Sequence, residues 1–372
     1  MPPRLTSVET FVARYPVTGR FRYLQGRDGK PPTRDTVVVR VADDAGGVGW
    51  GQSVPSPTWS YETLDTVRTT IDRHLGPALI GIDPGDAEAV ARVLDRVIAP
   101  SFSTGQPIAK AGIDLALFDL NGRRADRTAA QVWGRAGRRE VTLSWTVDAT
   151  TPAEAEATVA EARSRGFRNF NLKAGRDAAV DVAVATVVRR LAPEAFVWAD
   201  ANGGYDLDTA REVTRRLADL GLAALEQPLP ANHLTGYREL RRDRALPILM
   251  DEGVVSLTDL REFHALGLLD GVAMKVSRCG GLTEAARVTA YLRDNGLLFF
   301  ASGLTDPDLS FAASLQLLGA WDLPHPAALN APQYLSGSIL ATPITVEGDR
   351  AIVPTGPGLG VEVATARLAE LG

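Results

Sequence analysis

Five charged residues recur at almost constant spacing through the second half of this chain. Lys173, Asp200, Glu226, Asp251 and Lys275 lie 27, 26, 25 and 24 residues apart, and each ends a short apolar run: NFNLK, AFVWAD, AALE, PILMD and GVAMK. Parallel strands cannot be joined by a tight turn and need a crossover, usually a helix, so a repeat of this length reads as one strand and one helix. The runs VTLSWTV before them and LLFFA and AALN after them bring the count to eight. Eight strands alternating with helices predict an α/β fold with a closed parallel barrel, and every repeat then delivers its charged residue to the carboxyl-end face, where the active sites of such barrels sit.

The first part of the chain has a different pattern. Residues 5–14, 36–42 and 47–53 alternate or run β-branched, which predicts a small antiparallel sheet, and helical spacing follows at 62–75, 86–98 and 109–124. Strands first and helices afterwards predict an α+β domain over residues 1–135, followed by the barrel over 136–335. Residues 336–372 read as strands and turns that return to the first domain. With 372 residues the chain has room for both units.

Composition excludes several function classes. There are 40 basic and 45 acidic residues, a net charge of −5, and no basic run that would follow a phosphate backbone, so nucleic acid is not an expected partner. The single cysteine, Cys279, rules out a disulfide framework or a cysteine zinc site within the chain and reads as a small filler. No window approaches the roughly 18 to 20 apolar residues of a membrane span, and the amino terminus lacks the pattern of a cleaved signal, so a soluble, cytoplasmic protein is expected.

Asp200, Glu226 and Asp251 end consecutive strands, so their like charges face one another. A hard divalent cation resolves that repulsion, and an all-carboxylate set suits Mg²⁺, with Mn²⁺ as a substitute. The competing reading pairs each acid with a base or a helix start, and it does not explain why three acids share one repeat position. Lys173 and Lys275 flank the acids. A lysine titrates near about 10.4, and lowering it by about 3 units to serve as a base near neutrality takes about 4 kcal/mol, within reach of a nearby cation and partial burial. Simple neutralisation of the acids by the two lysines is compatible with the same positions.

These residues, with the motifs NLKAG, WADANGGY, LEQPL, MDEG and MKVSRCGGLTEA, backed by AKAGIDLALFDLNGR and GPGLGVEV, resemble the enolase superfamily, and within it the muconate lactonizing enzyme subgroup. The resemblance spans nearly the whole chain. It implies a modified (β/α)7β barrel with an α+β capping domain, Mg²⁺ on Asp200, Glu226 and Asp251, and Lys173 and Lys275 as acid/base catalysts on the two faces of a substrate α-carbon. It also implies a small carboxylate substrate, an enediolate intermediate and a homo-oligomer. A mandelate racemase-like member would carry a His–Asp pair on later strands, and none of the four histidines ends a barrel strand.

Three reactions fit: racemisation or epimerisation of an amino-acid-derived carboxylate, which is preferred; cycloisomerisation or dehydration; and a non-catalytic metal-binding barrel, against which the intact set of five argues. On the substrate side the candidates are Asn171, Asn202, Asp306, Asn330, Tyr61 and Trp59. Asn171 stands where the family usually has the first lysine of Lys-x-Lys. Ala328 and Asn330 stand where dipeptide epimerases carry an Asp-x-Asp pair, and the acid of the muconate enzymes is missing there too. Asp306 and Asp308 suit either a cationic group or a helix start with Thr305 or Asp306 as N-cap. Loops 18–30 and 55–64, with Phe21, Tyr23, Trp59 and Tyr61, resemble the lids of this family; packing between domains is their other reading.

Overall fold

The computed structural model describes residues 2–26, 29–100 and 104–372. The chain opens with β1 (Leu5–Pro16), β2 (Thr33–Asp43) and β3 (Val48–Ser53), an antiparallel sheet in that order. The valines at the centre of β2 suit a strand covered on both faces. Val37, Val39 and Val41 pack into the core of this cap, while Val38 faces the larger core of the barrel. The helix Pro107–Ala125 lies flat on β3, so close that a Cβ on Gly51 would meet the carbonyl oxygen of Gly112 at 2.1 Å. The helical spacing at 62–75 becomes a helix at Leu64–Thr70, a π-helical turn at Ile71–Leu75 and one more turn at Gly76–Leu79.

Glu62 anchors the end of the second lid loop to the helix below it. Its carboxylate accepts from the N–H groups of Ile108 at 2.7 Å and Ala109 at 2.9 Å. Burial pushes its pKa from 4.5 up to about 7, although both N–H groups and Lys110 pull it down. The folded chain therefore binds this proton more tightly than the unfolded one, so the stability it contributes is complete below pH 4.5 and is lost as pH rises through about 7. Glu62→Gln is expected to flatten the pH dependence of urea unfolding across that window by up to ~3 kcal/mol. A variant slope equal to the wild-type slope would assign that dependence to another group.

The first barrel run is split, contrary to the single strand expected over 141–147. β4 (Glu140–Thr142) belongs to a different sheet, and only β5 (Trp145–Val147) enters the barrel. The chain changes partners between them: Leu143 N–H donates to the Asp349 carbonyl and Ser144 N–H to that of Ala327. β6 (Phe170–Lys173), β7 (Val197–Asp200), β8 (Leu225–Glu226), β9 (Ile248–Met250), β10 (Gly271–Met274) and β11 (Leu298–Ala301) follow, all parallel and paired in sequence order. The eighth run, AALN, closes the ring through two bridges, Ala327 to Leu143 and Ala328 to Ser302, rather than as a ladder. Pro326 before it and Pro332 after it lack the N–H a longer ladder requires.

β12 (Val346–Glu347) and β13 (Arg350–Ile352) form a three-stranded antiparallel sheet with β4. The rest of the carboxyl-terminal segment reaches the cap, where Arg14 N–H donates to the Leu371 carbonyl and Leu359 N–H to Asp119. Among the described residues no helix is long and apolar enough to cross a membrane.

Candidate active site

Side chains two apart on a strand share a face. Trp198, Ala224, Leu249, Ala273, Phe300 and Ala328 fill the barrel interior as one cluster. Two residues further along the same strands come Asp200, Glu226, Asp251, Lys275, Ser302 and Asn330, so the site is the next inward-facing layer above that plug. Pairing places Lys173 opposite Asp200, and Asp200 opposite Glu226, in direct register. The turn after Lys173 needs Gly175: its φ is +86°, and a Cβ there would lie 2.1 Å from the Ala201 carbonyl oxygen.

Asp200, Glu226 and Asp251 are all buried, and one oxygen from each lies within 4.8 Å of the others. The outer two acids are each tied to a lysine. Lys173 Nζ donates to Asp200 Oδ2 at 2.5 Å, and Lys275 Nζ to Asp251 Oδ2 at 2.6 Å. Arg278 also pairs with Asp251, and Lys275 donates to Ser302. Glu226, in the middle, accepts from Trp198 Nε1 at 2.9 Å through Oε2, whereas Oε1 is buried without a hydrogen-bond partner.

Burial, and next the charge of Asp200, push Glu226 well above the usual carboxylate range. Burial acts on Asp251 in the same direction, but Arg278 and Lys275 outweigh it and hold that acid below its ordinary value. For Lys173 the expected downward shift does not arise from the protein alone. Burial pushes its ammonium down, yet the charges of Asp200 and Glu226 more than compensate and hold it above its ordinary value. A cation among the carboxylates is what would reverse that sign.

The second lid loop covers this cluster. The Trp59 indole lies 4.8 Å from Lys173 Nζ and 5.4 Å from Lys275 Nζ, and Tyr23 stacks on it at 4.4 Å. Trp59 Nε1 donates to Glu252 at 3.2 Å, Asn202 Nδ2 donates to the same oxygen at 3.0 Å, and Asn202 Oδ1 accepts from Lys173 at 3.3 Å. Tyr61 is 61% exposed and does not join this cover. Arg27 and Asp28 of the first lid loop lie outside the described residues.

Asn330 is buried in the site's layer, and Asn171, in register with Trp198, is buried one layer below it; each has one unpaired polar atom, Oδ1 and Nδ2 respectively. Asn330 Nδ2 donates to Thr146 at 3.3 Å. Neither Asp306 nor Thr305 caps a helix: the helix starts at Asp308, with Pro307 in the cap position and no side-chain cap. Asp306 instead accepts from Ser277 Oγ at 2.8 Å and Leu304 N–H at 3.2 Å, and Asp308 from Ser338 and Ile339. Cys279 is buried against Met274, and burial pushes its thiol up to about 12, as suits a filler.

Two family models match the chain. "Enolase C-terminal domain-like" covers residues 154–367, and "Mandelate racemase / muconate lactonizing enzyme, N-terminal domain" covers 29–134. The chain belongs to the enolase superfamily. It is an enzyme of the muconate lactonizing subgroup, similar to a chloromuconate cycloisomerase from Cupriavidus necator (29% identical over 332 residues, 88% of each chain). It is also similar to an N-succinyl-L-Arg/Lys racemase from Bacillus cereus (25% over 371 residues, 99% of this chain and 98% of the other). The crystal structure of 2-chloromuconate cycloisomerase from Rhodococcus opacus 1CP superimposes with a TM-score of 0.89 at 27% identity, covering 100% of both chains.

Enzymes of this superfamily use a divalent metal, and the residues present fit one. The donors are hard oxygens, their mutual repulsion is only partly offset by the lysines, and Glu226 Oε1 is a buried acceptor that makes no hydrogen bond, with the Lys275 ammonium 3.5 Å away. Trp198 decides which Glu226 oxygen is left free. Trp198→Phe, which keeps an aromatic plug but removes the N–H, is expected to weaken Mg²⁺ or Mn²⁺ binding about 10- to 100-fold, read by titration calorimetry. Unchanged affinity would reduce Trp198 to filler.

Ser302, Trp198, Glu252 and Arg278 are members of the site that sequence reasoning did not single out. Ser302 had a signal: it lies 27 residues after Lys275, one more step of the repeat.

Proposed function

We propose that this enzyme moves a proton at the carbon next to a carboxylate, with Mg²⁺ as its cation, and that the reaction is racemisation or epimerisation of an amino-acid-derived carboxylate. The observation that carries this reading is the pair of lysines, one tied to the first acid of the triad and one to the last, both beneath one indole ring. Inversion requires a base on each face of the carbon, one to take the proton and one to return it. A divalent cation on Asp200, Glu226 and Asp251 would supply positive charge for the carboxylate oxygens on which the carbanion's electrons collect. Trp59 and Tyr23 exclude water above the lysines, and Asn202 orients Lys173.

Cycloisomerisation, the activity in the Cupriavidus relative's name, is the second reading, because the same carbanion can lose or capture a β-group. Against it stands the eighth barrel run, Ala327–Asn330, which carries no acid. The test is incubation with Mg²⁺ in D₂O against a panel of carboxylates, including N-acyl amino acids, dipeptides and muconate, followed by mass spectrometry and chiral separation. Label at the α-carbon with inversion supports the first reading, and ring closure or loss of water the second. Exchange that survives replacing both lysines by alanine overturns both.

Asn171→Lys adds a second ammonium on the same side of β6 as Lys173. It is expected to move the acidic limb of the pH–rate profile to lower pH, since a like charge makes Lys173 lose its proton more readily. An unmoved limb would separate the two positions electrostatically.

A further inference from the structure

Arg22 belongs to the first lid loop, yet it is spent on the barrel rather than left facing a substrate. Its side chain is 9% exposed, and Nε donates to Asp148 Oδ1 at 2.7 Å, an ion pair that the Arg22 backbone N–H extends to Asp148 Oδ2 at 2.8 Å. The other two nitrogens donate to main-chain carbonyls, Nη1 to Ala174 at 2.8 Å and Nη2 to Lys173 at 3.2 Å. Asp148 follows β5 and the two carbonyls lie where β6 ends. Carbonyls leaving a sheet need a donor from outside it.

The residues on either side of Arg22 are committed to the same region. Phe21 stacks on Tyr334 at 4.7 Å, just past the eighth barrel run, and Tyr23 stacks on Trp59 above Lys173. Arg22 and Phe21 therefore hold two points of the rim, and Tyr23 packs on the second lid loop above Lys173.

We propose that Arg22 is a positioning residue: it fixes the backbone from which Lys173 reaches the triad, so that seating the first lid loop and setting this lysine are a single event. This rests on Lys173 being the acid/base group proposed above. The role demands arginine. Three nitrogens in a rigid fork meet three acceptors on two different strand ends, and a lysine ammonium on a flexible stem cannot span them. Removing the guanidinium need not leave Asp148 without a cation, because Arg176 lies 3.6 Å from it.

The test uses the full chain, with Arg22→Ala and Arg22→Lys as variants. Amide hydrogen exchange is measured by mass spectrometry with Mg²⁺ alone and no substrate. Both variants are expected to exchange about 10-fold or more faster over residues 173–176, with residues 271–275 unchanged, because the opening is local. Wild-type protection at 173–176 in either variant overturns the proposal.

The second readout follows α-proton exchange on N-acetyl-L-alanine and N-acetyl-D-alanine separately. The enantiomer whose exchange disappears in Lys173→Ala should slow about 100-fold in both Arg22 variants, the cost of a misplacement near 1 Å, while the other slows less than about 3-fold. Equal slowing of both enantiomers would make Arg22 merely structural and overturns the proposal. Should Lys173→Ala leave both enantiomers exchanging, the two-lysine reading falls by itself, and the amide exchange still decides whether Arg22 clamps this backbone.

Discussion

Lys275→Ala is expected to abolish racemisation while leaving one enantiomer able to exchange its α-proton. A positioned acid/base group is worth about 10² to 10⁴ in rate, so the exchange from the Lys275 face should fall by that factor. Asp251 keeps its pair with Arg278 when Lys275 is gone, whereas Glu226 Oε1 loses the ammonium 3.5 Å away and that acid keeps only the Trp198 N–H on its other oxygen. Lys173→Ala removes the only salt-bridge partner that Asp200 has among the described residues, leaving it the Asn202 N–H at 2.9 Å, and should cost stability as well as rate. Chirally resolved deuterium uptake separates the two faces. If Lys275→Ala slows both enantiomers equally, the lysines do not divide the faces between them, and the two-base assignment fails.

Glu226→Gln is expected to remove cation binding and, with it, the stabilisation that the cation provides. A ligand at 100 times its dissociation constant adds about 2.7 kcal/mol to a folded protein that alone binds it. Wild-type unfolding should therefore shift upward on adding Mg²⁺ and return on adding a chelator, and the variant should show no shift. Without added metal the variant should be the more stable of the two near neutrality. Burial and the neighbouring Asp200 oppose ionisation of Glu226, so the folded chain bears a cost there that the unfolded chain does not. A variant that still gains stability from Mg²⁺ would place the cation elsewhere.

The layer of charged residues was legible because barrel strands are short and identical in polarity. Once five charged residues are seen one repeat apart, their convergence follows from topology alone. The same logic reaches Ser302, one further step along, and Trp198, two residues before Asp200 on the same face. It fails for the first and eighth barrel runs. VTLSWTV reads as one strand because periodicity cannot show that β4 takes a partner 210 residues away, from Arg350–Ile352. AALN carries the right residue types, but the flanking prolines reduce it to two bridges. Asp306 shows the limit of local chemistry: an acid next to a proline suits a helix start, yet its hydrogen bond to Ser277 comes from 29 residues upstream.

What the sequence by itself determined is the set of five residues, the face they share and the cation chemistry they suit, all consequences of spacing and residue type. What only the tertiary structure decided is the direction of each perturbation and the identity of the groups that impose it. The proton on Lys173 is held by the summed charges of three different strand ends, and the free oxygen of Glu226 is selected by an indole from the neighbouring strand. The lid is pinned to the lysine's own backbone by an arginine 151 residues earlier. Electrostatic fields and hydrogen bonds depend on distance in space, and spacing along a chain specifies that distance only within a repeat, not between a loop and the barrel it closes.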